Sequence, residues 1–196
     1  MNAQNKDQLE EFDSLLEDLR KQLLDACTHF DIWLELWPTE DKVHVINAYK
    51  GFFVPTREAH RNQWFIKVCN VVSNDRRAPS FYRVINMLHK NARLAPGVDL
   101  RALRTRVNSQ KKLLEAINDY RNKRAAHWDT TVAQPLDPVL VGDSRRLLEE
   151  LGKIFNEVHY AHTRSQRWAF KLVQHGDTSL LLDNLRVAKR QTGTIA

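Results

Sequence analysis

Cysteine is scarce in this chain. Cys27 and Cys69 are the only two in 196 residues, too few for a disulfide framework or a structural zinc cluster. Glycine and proline are each present six times, which excludes collagen-like and most low-complexity classes. No apolar run approaches the ~20 residues of a membrane span. The opening stretch, MNAQNKDQLEEFDSLLEDLR, is polar and acidic, unlike a secretory signal or a basic transit peptide, so the expected compartment is the cytoplasm. No phosphate-cradling glycine loop, Cys-x-x-Cys pair or Gly-x-Ser-x-Gly elbow occurs. What is present is a soluble globular profile, 42% hydrophobic and 28% charged. A chain of this size buries enough surface to fold without a staple.

Acidic residues thin out along the chain. Residues 1–100 carry 13 basic and 14 acidic groups, residues 101–196 carry 17 and 10, and residues 101–128 hold eight basic groups against Glu115 and Asp119. A local positive field of this kind favours a polyanion such as nucleic acid.

Apolar spacing predicts helices throughout. Leu9, Phe12, Leu15, Leu16, Leu19, Leu23 and Leu24 form one stripe, which continues through Phe30, Trp33, Leu34 and Trp37 to Pro38, with a break near Thr28 as the alternative. Thr39 is the expected cap of a short helix carrying Val43, Ile46 and Tyr49 and ending at Gly51. Pro55-Thr56 opens the next, from Arg57 to about Ser73; its β-branched residues also invite a strand over 64–72, but the spacing favours a helix. Ser80 and Asp99 are expected caps. One helix is expected from Leu100 almost to Trp128, then a loop over 129–142. A helix from Asp143 or Ser144 should run through Trp168 toward Val173, and Asp177-Thr178 should cap a last one with Leu181, Leu182 and Leu185. The predicted fold is all-α, a single antiparallel helical bundle over 5–188 with a flexible C-terminal tail at 189–196.

The chemistry concentrates in YRNKRAAHWD, residues 120–129. Arg121, Asn122, Lys123, Arg124 and His127 fall within two helical turns. An imidazole moves a proton near neutral pH, and a guanidinium holds a phosphate and stabilises charge on its oxygens. On an ideal helix His127 stands near Tyr120, Lys123 and Arg124, whereas Arg121 lies about 120° round and about 9 Å away along the axis. For Arg121 and His127 to meet, the helix must end or distort, Arg121 must reach round, or another helix or subunit must complete the site. A two-fold dimer would pool two histidines and two arginines in one cleft. Trp128 could stack on a base or close the bundle. His159 and His162 have a His-x-x-His spacing, but no further ligand follows at metal spacing, so packed histidines are expected and no metal is assigned. Arg164, Arg167 and Lys171 make this segment basic too. Trp33, Trp37, Trp64 and Phe65 are expected as core or interface anchors, and both cysteines as buried packing.

An Arg, a polar residue and a His after a short spacer, late in a basic helix of an all-α chain, resemble the HEPN superfamily. Here these are Arg121, Asn122 and His127, with five residues between Arg121 and His127. RNKRAAHWD, the early HFDIWLELW at 29–37 and the 58–75 segment ending in Asp75 are similar in position to the HEPN domain of AbiU2-type abortive-infection proteins, over roughly 10–170. The resemblance implies an endoribonuclease that needs no metal or other cofactor, acting as a toxin or phage-defence effector. It implies a homodimer with the motif at the interface, RNA as substrate and an antitoxin or other neutralising protein as a partner. Arg121 would then stabilise the phosphate, His127 act as general acid/base and Asn122 orient one of them or the substrate, with Lys123, Arg124, Trp128 and Tyr120 binding RNA. In some relatives the histidine is followed two positions on by a tyrosine that a nucleotidyltransferase modifies; here that position is Asp129. A catalytically silent interaction or regulatory domain is the alternative, and a helical DNA-binding regulator a further one.

Overall fold

The computed structural model describes residues 3–122, 141–165, 167–170 and 176–191. Among these are eight α-helices and one 3₁₀ turn: α1 (Ala3–Glu35), α2 (Val43–Ala48), α3 (Lys50–Val71), α4 (Phe81–Lys90), the 3₁₀ turn (Ala92–Leu94), α5 (Leu100–Ser109), α6 (Lys111–Tyr120), α7 (Val141–Thr163) and α8 (Gly176–Gln191). No strand occurs among the described residues.

The expected stripe on α1 is the spine. Phe12, Leu15, Leu16, Leu19, Leu23, Ala26, Cys27, Phe30 and Trp33 are all buried, and the helix runs without a break past Thr28. The stripe does not lapse there, because Cys27 and Phe30 on either side are both in the core. α3 lies antiparallel to α1: Lys67 bonds Asp25 at 2.8 Å, Trp64 stacks on Trp33 with centroids 5.7 Å apart and 8° between planes, and Arg57 stands over Trp37. α7 is also antiparallel to α1, since His162 meets Asp13 near one end and Arg145 faces Asp31 near the other. A smaller cluster of Leu36, Val45, Ile46, Phe53 and Leu182 fixes α2 and α8 at the corner between α1 and α3.

Several boundaries differ from expectation, each for a local reason. Thr39 does not cap α2; it opens a turn in which its carbonyl accepts from Lys42 and Val43, and the helix starts at Val43. α3 begins at Lys50 and carries Pro55 inside it. The proline removes the donor that would otherwise meet the Gly51 carbonyl; the Thr56 hydroxyl adds a bond to the next carbonyl, that of Phe52, at 2.7 Å, and Phe53 anchors this turn in the small cluster. The expected single helix after Asp99 is two. Gln110 (φ −88°, ψ 4°) breaks it, so α5 can pack on α4 while α6 turns onto α3. α7 stops at Thr163 instead of running on through Trp168. Arg164 adopts a left-handed conformation (φ 56°), and the chain folds back so that Trp168 and Asn156 exchange two hydrogen bonds at 2.8 and 2.9 Å. α8 includes Asp177 and Thr178 in its first turn and extends to Gln191, into the stretch expected as tail. The caps at Ser80 and Asp99 are as expected, accepting from Arg83 N and from Arg101 N and Ala102 N respectively.

Trp64 is fully buried, and its indole N–H has no partner among the described residues. Trp64→Ala should therefore cost about 3–5 kcal/mol by leaving a cavity. Trp64→Phe should cost clearly less, because it keeps the ring stacking and removes the unpaired donor. Urea denaturation of the two variants measures the difference.

His29 and His60 link α1 to α3 through Nδ1 atoms 2.8 Å apart, so one ring must donate and the other accept. Burial, and for His29 also the charge of His60, holds both below the ordinary histidine range. The unfolded chain thus takes up more protons as pH falls below about 6.5. Stability should be fully present above that pH, fall as pH drops through it toward the lowered native values, and then level off. His60→Asn should flatten that fall in a pH series of thermal melts.

Candidate functional site

α6 delivers the motif. Its inner face is held by buried Ile117 and by Leu113 and Leu114 packed against the main core, and it leans on α3. At its C-terminal end the α-helix passes into a wider π-type turn at Arg121–Asn122, a local change of helical phase. The helix is therefore distorted ahead of His127.

Arg121 and Asn122 are brought together. The guanidinium donates twice to the Asn122 side-chain oxygen, from Nε at 3.1 Å and from Nη2 at 2.8 Å. Two of its five donors are used and the head group is oriented, while the amide oxygen leaves its positive charge in place. No acidic side chain pairs with Arg121 among the described residues. Arg121 is half-buried and Asn122 exposed. Behind them on α3 stands Cys69, whose thiol burial pushes up to about 11, against an opposing pull from the Arg121 charge. A thiol so shifted is protonated and inert near neutral pH. Tyr120 closes α6, its side chain outside the described residues; Lys123, Arg124, His127 and Trp128 also lie outside them, as do Asp129 and Lys171.

The basic field has a finer grain than the count of cations suggests. Arg101, Arg104, Lys111 and Lys112 are exposed along α5 and α6. Arg106 is instead clamped by Glu150 and Glu157 of α7, each at 2.6 Å, and joins α5 to α7. Arg164 and Arg167 both stand over the Tyr160 ring.

The two histidines of α7 are tied into the structure. His162 faces the Leu94 carbonyl through Nδ1 and the Asp13 carboxylate through Nε2 at 2.6 Å, with Phe12 edge-on to its ring. His159 accepts from the Trp168 indole at 3.4 Å, and burial lowers its pKa. Among the described residues no group of three or more His, Cys, Asp or Glu converges on a possible metal position. No described helix is long and apolar enough to cross a membrane.

The sequence gives no sign of a concavity, about 550 Å³, between α1, α7 and the segment folded back after Arg164. Asp31 and Arg145 meet there. Asp31 sits in an acid-rich helix, and only its position beside buried Phe30 could have flagged it.

Neither a curated protein nor a solved structure matches the chain. Among protein families, the HEPN family AbiU2 matches residues 9–186, which reaches from within α1 into α8 and includes the Arg121–Asn122 pair and His127. With that extent of match and an all-α architecture, the chain belongs to the AbiU2 family of HEPN domains.

Proposed function

We propose that this protein is an endoribonuclease that cleaves RNA without a metal ion and serves as a toxin or phage-defence effector. The observation that carries the reading is the Arg121–Asn122 pair at the distorted end of α6, with five residues between Arg121 and His127, in a chain of the HEPN family. Asn122 fixes the guanidinium without neutralising it, as a group meant for a phosphate requires. In the reaction the RNA 2′-hydroxyl loses its proton to one imidazole and its oxygen attacks the adjacent phosphorus. The bond from phosphorus to the 5′-oxygen breaks, and that oxygen takes a proton from a second acid. The products are a 2′,3′-cyclic phosphate and a free 5′-hydroxyl. Arg121 stabilises the charge gathering on the non-bridging oxygens.

A homodimer supplies the second imidazole. Two copies of His127 facing across a symmetric cleft provide base and acid, and two copies of Arg121 the phosphate clamp. Lys123, Arg124, Trp128 and Tyr120 hold the strand on either side, and exposed Arg101, Arg104, Lys111 and Lys112 extend the positive track. A neutralising protein is a further expected partner.

Cleavage of end-labelled RNA in excess chelator tests this. His127→Ala should lower the rate about 10²–10⁴-fold and Arg121→Ala about 10²–10³-fold, with helicity and oligomeric state retained. Asn122→Asp should also slow cleavage, because a carboxylate there would neutralise the guanidinium. Cleavage undiminished in His127→Ala would reject the assignment, and RNA binding without cleavage by the parent would favour the catalytically silent alternative.

A further inference from the structure

The concavity between α1 and α7 holds a carboxylate short of partners. Asp31 is a buried acid, 9% exposed, and no hydrogen bond reaches its carboxylate from any described residue. Its one ionic neighbour among them is Arg145, at 4.0 Å, beyond hydrogen-bond distance. Buried carboxylates are ordinarily supplied with donors, and one without them is costly. Cys27 also lines the space, but a thiol is a weak donor, and burial with the charge of Asp31 pushes this one up to about 12.

The rest of the lining divides into an apolar wall and a balanced set of charges. Phe30, Leu148, Trp168 and Phe170 supply the wall. Gly152 lets Phe170 come in close, for a Cβ at that position would meet its ring at 3.1 Å, and the two bonds to Asn156 hold Trp168 in place. Among the described residues the charges are two acids, Asp31 and Glu149, and two bases, Arg145 and Lys153, which cancel. Both bases stand at the wet rim, with side chains 52% and 69% exposed. The Arg145 guanidinium is 5.6 Å from the centre of the Phe30 ring, so acid, base and aromatic ring are neighbours. A volume of about 550 Å³ is within the range of small-molecule sites.

We infer that the α1–α7 cavity binds a free α-amino acid with a large apolar side chain, its ammonium on Asp31 and its carboxylate toward Arg145 and Lys153. An ammonium brings three donors and a charge to a carboxylate that has neither. A simple amine would do the same but would face the two rim cations. A simple anion would suit those cations and leave Asp31 bare. A guest of zero net charge carrying both signs meets both demands, as the cancelling charges of the lining require. The spacing fits as well. The ammonium and carboxylate of an α-amino acid lie about 3 Å apart across one carbon, comparable with the 4.0 Å between Asp31 and Arg145, so the four charges alternate in sign around a closed ring. The side chain then lies against Phe30, Leu148 and Phe170, where burial of apolar surface adds affinity. The inference stands apart from the cleavage reading, since the cavity is built from other residues than Arg121 and Asn122.

Titration calorimetry on the full chain tests it. L-Phenylalanine should bind with Kd below about 1 mM. Glycine, which has the same head and no apolar side chain, should bind about tenfold or more weakly still. N-Acetyl-L-phenylalanine lacks the ammonium and should lose about tenfold or more, and Asp31→Asn should lose as much with phenylalanine itself. Arg145→Gln, at an exposed position, should weaken phenylalanine by a similar factor without weakening phenylalaninamide, which has no carboxylate to hold. Thermal melts establish that both variants are folded. The amide also separates a free amino acid from the amino end of a peptide. Phenylalaninamide binding as tightly as phenylalanine would assign a peptide end and overturn the inference. Absence of phenylalanine binding, which would mark Asp31 and Arg145 as an ordinary ion pair, also overturns it. So does N-acetylphenylalanine of equal affinity, or phenylalanine binding unchanged by Asp31→Asn.

Discussion

The burial of one face of α1 against two antiparallel partners is the constraint on which the rest depends. A helix of 33 residues extends about 50 Å, and its stripe from Phe12 to Trp33 faces α3 and α7 together. The stacked Trp33 and Trp64, with Phe30 and Phe65 against them, lock the α3 side; such contacts add about 0.5–1.5 kcal/mol per pair beyond the area they bury. Once Trp64 and Lys67 are fixed on α1, the C-terminal part of α3 is fixed with them, and α6 packs on α3. The α7 side works in the same way. Phe155, Val158 and His162 seat α7 along α1, and that seating brings Arg145 toward Asp31. α3, which carries α6, and α7, which lines the cavity, are thus both referred to one helix.

The elements visible from sequence are those whose signal is local. Ser80 and Asp99 cap because their side-chain oxygens reach amides two or three residues ahead, and that chemistry is written in neighbouring positions. The boundaries that depend on distant contacts were not legible. Pro55 marks a helix start by every local rule, yet Phe53, buried among Leu36, Val45 and Ile46, extends α3 back beyond it. Nothing in the spacing of Val107, Leu114 and Ile117 announces the break at Gln110; it arises because α5 and α6 have different partners. Arg164 in a left-handed conformation is equally unmarked, as glycine or asparagine would be the expected residue there.

Site residues divide along the same line. Arg121 and Asn122 could be singled out because residue type and spacing carry chemical meaning by themselves, and the structure brings these two together; His127 lies outside the described residues. Asp31 could not, since an aspartate on a helix with many acidic neighbours is ordinarily solvated. Its burial is set by tertiary contact, in the space that α1 shares with α7, Trp168 and Phe170. Charge counting was misleading in the other direction. Arg106 belongs to the basic run, but Glu150 and Glu157 consume it in a cross-link between helices.

That contrast between Arg106 and Arg121 bears on how the chain divides its cations. An arginine held by two carboxylates is a structural strut: its donors are filled, its charge is cancelled locally, and it presents little to an approaching anion. An arginine held by an amide oxygen is also oriented through two donors, but the amide carries no charge to set against it. Orientation reduces the freedom lost on binding, and the preserved charge keeps the attraction to a phosphate. Asparagine next to the motif arginine therefore does what neither a carboxylate nor an apolar residue could do there. It gives the guanidinium a direction without giving it a counter-ion.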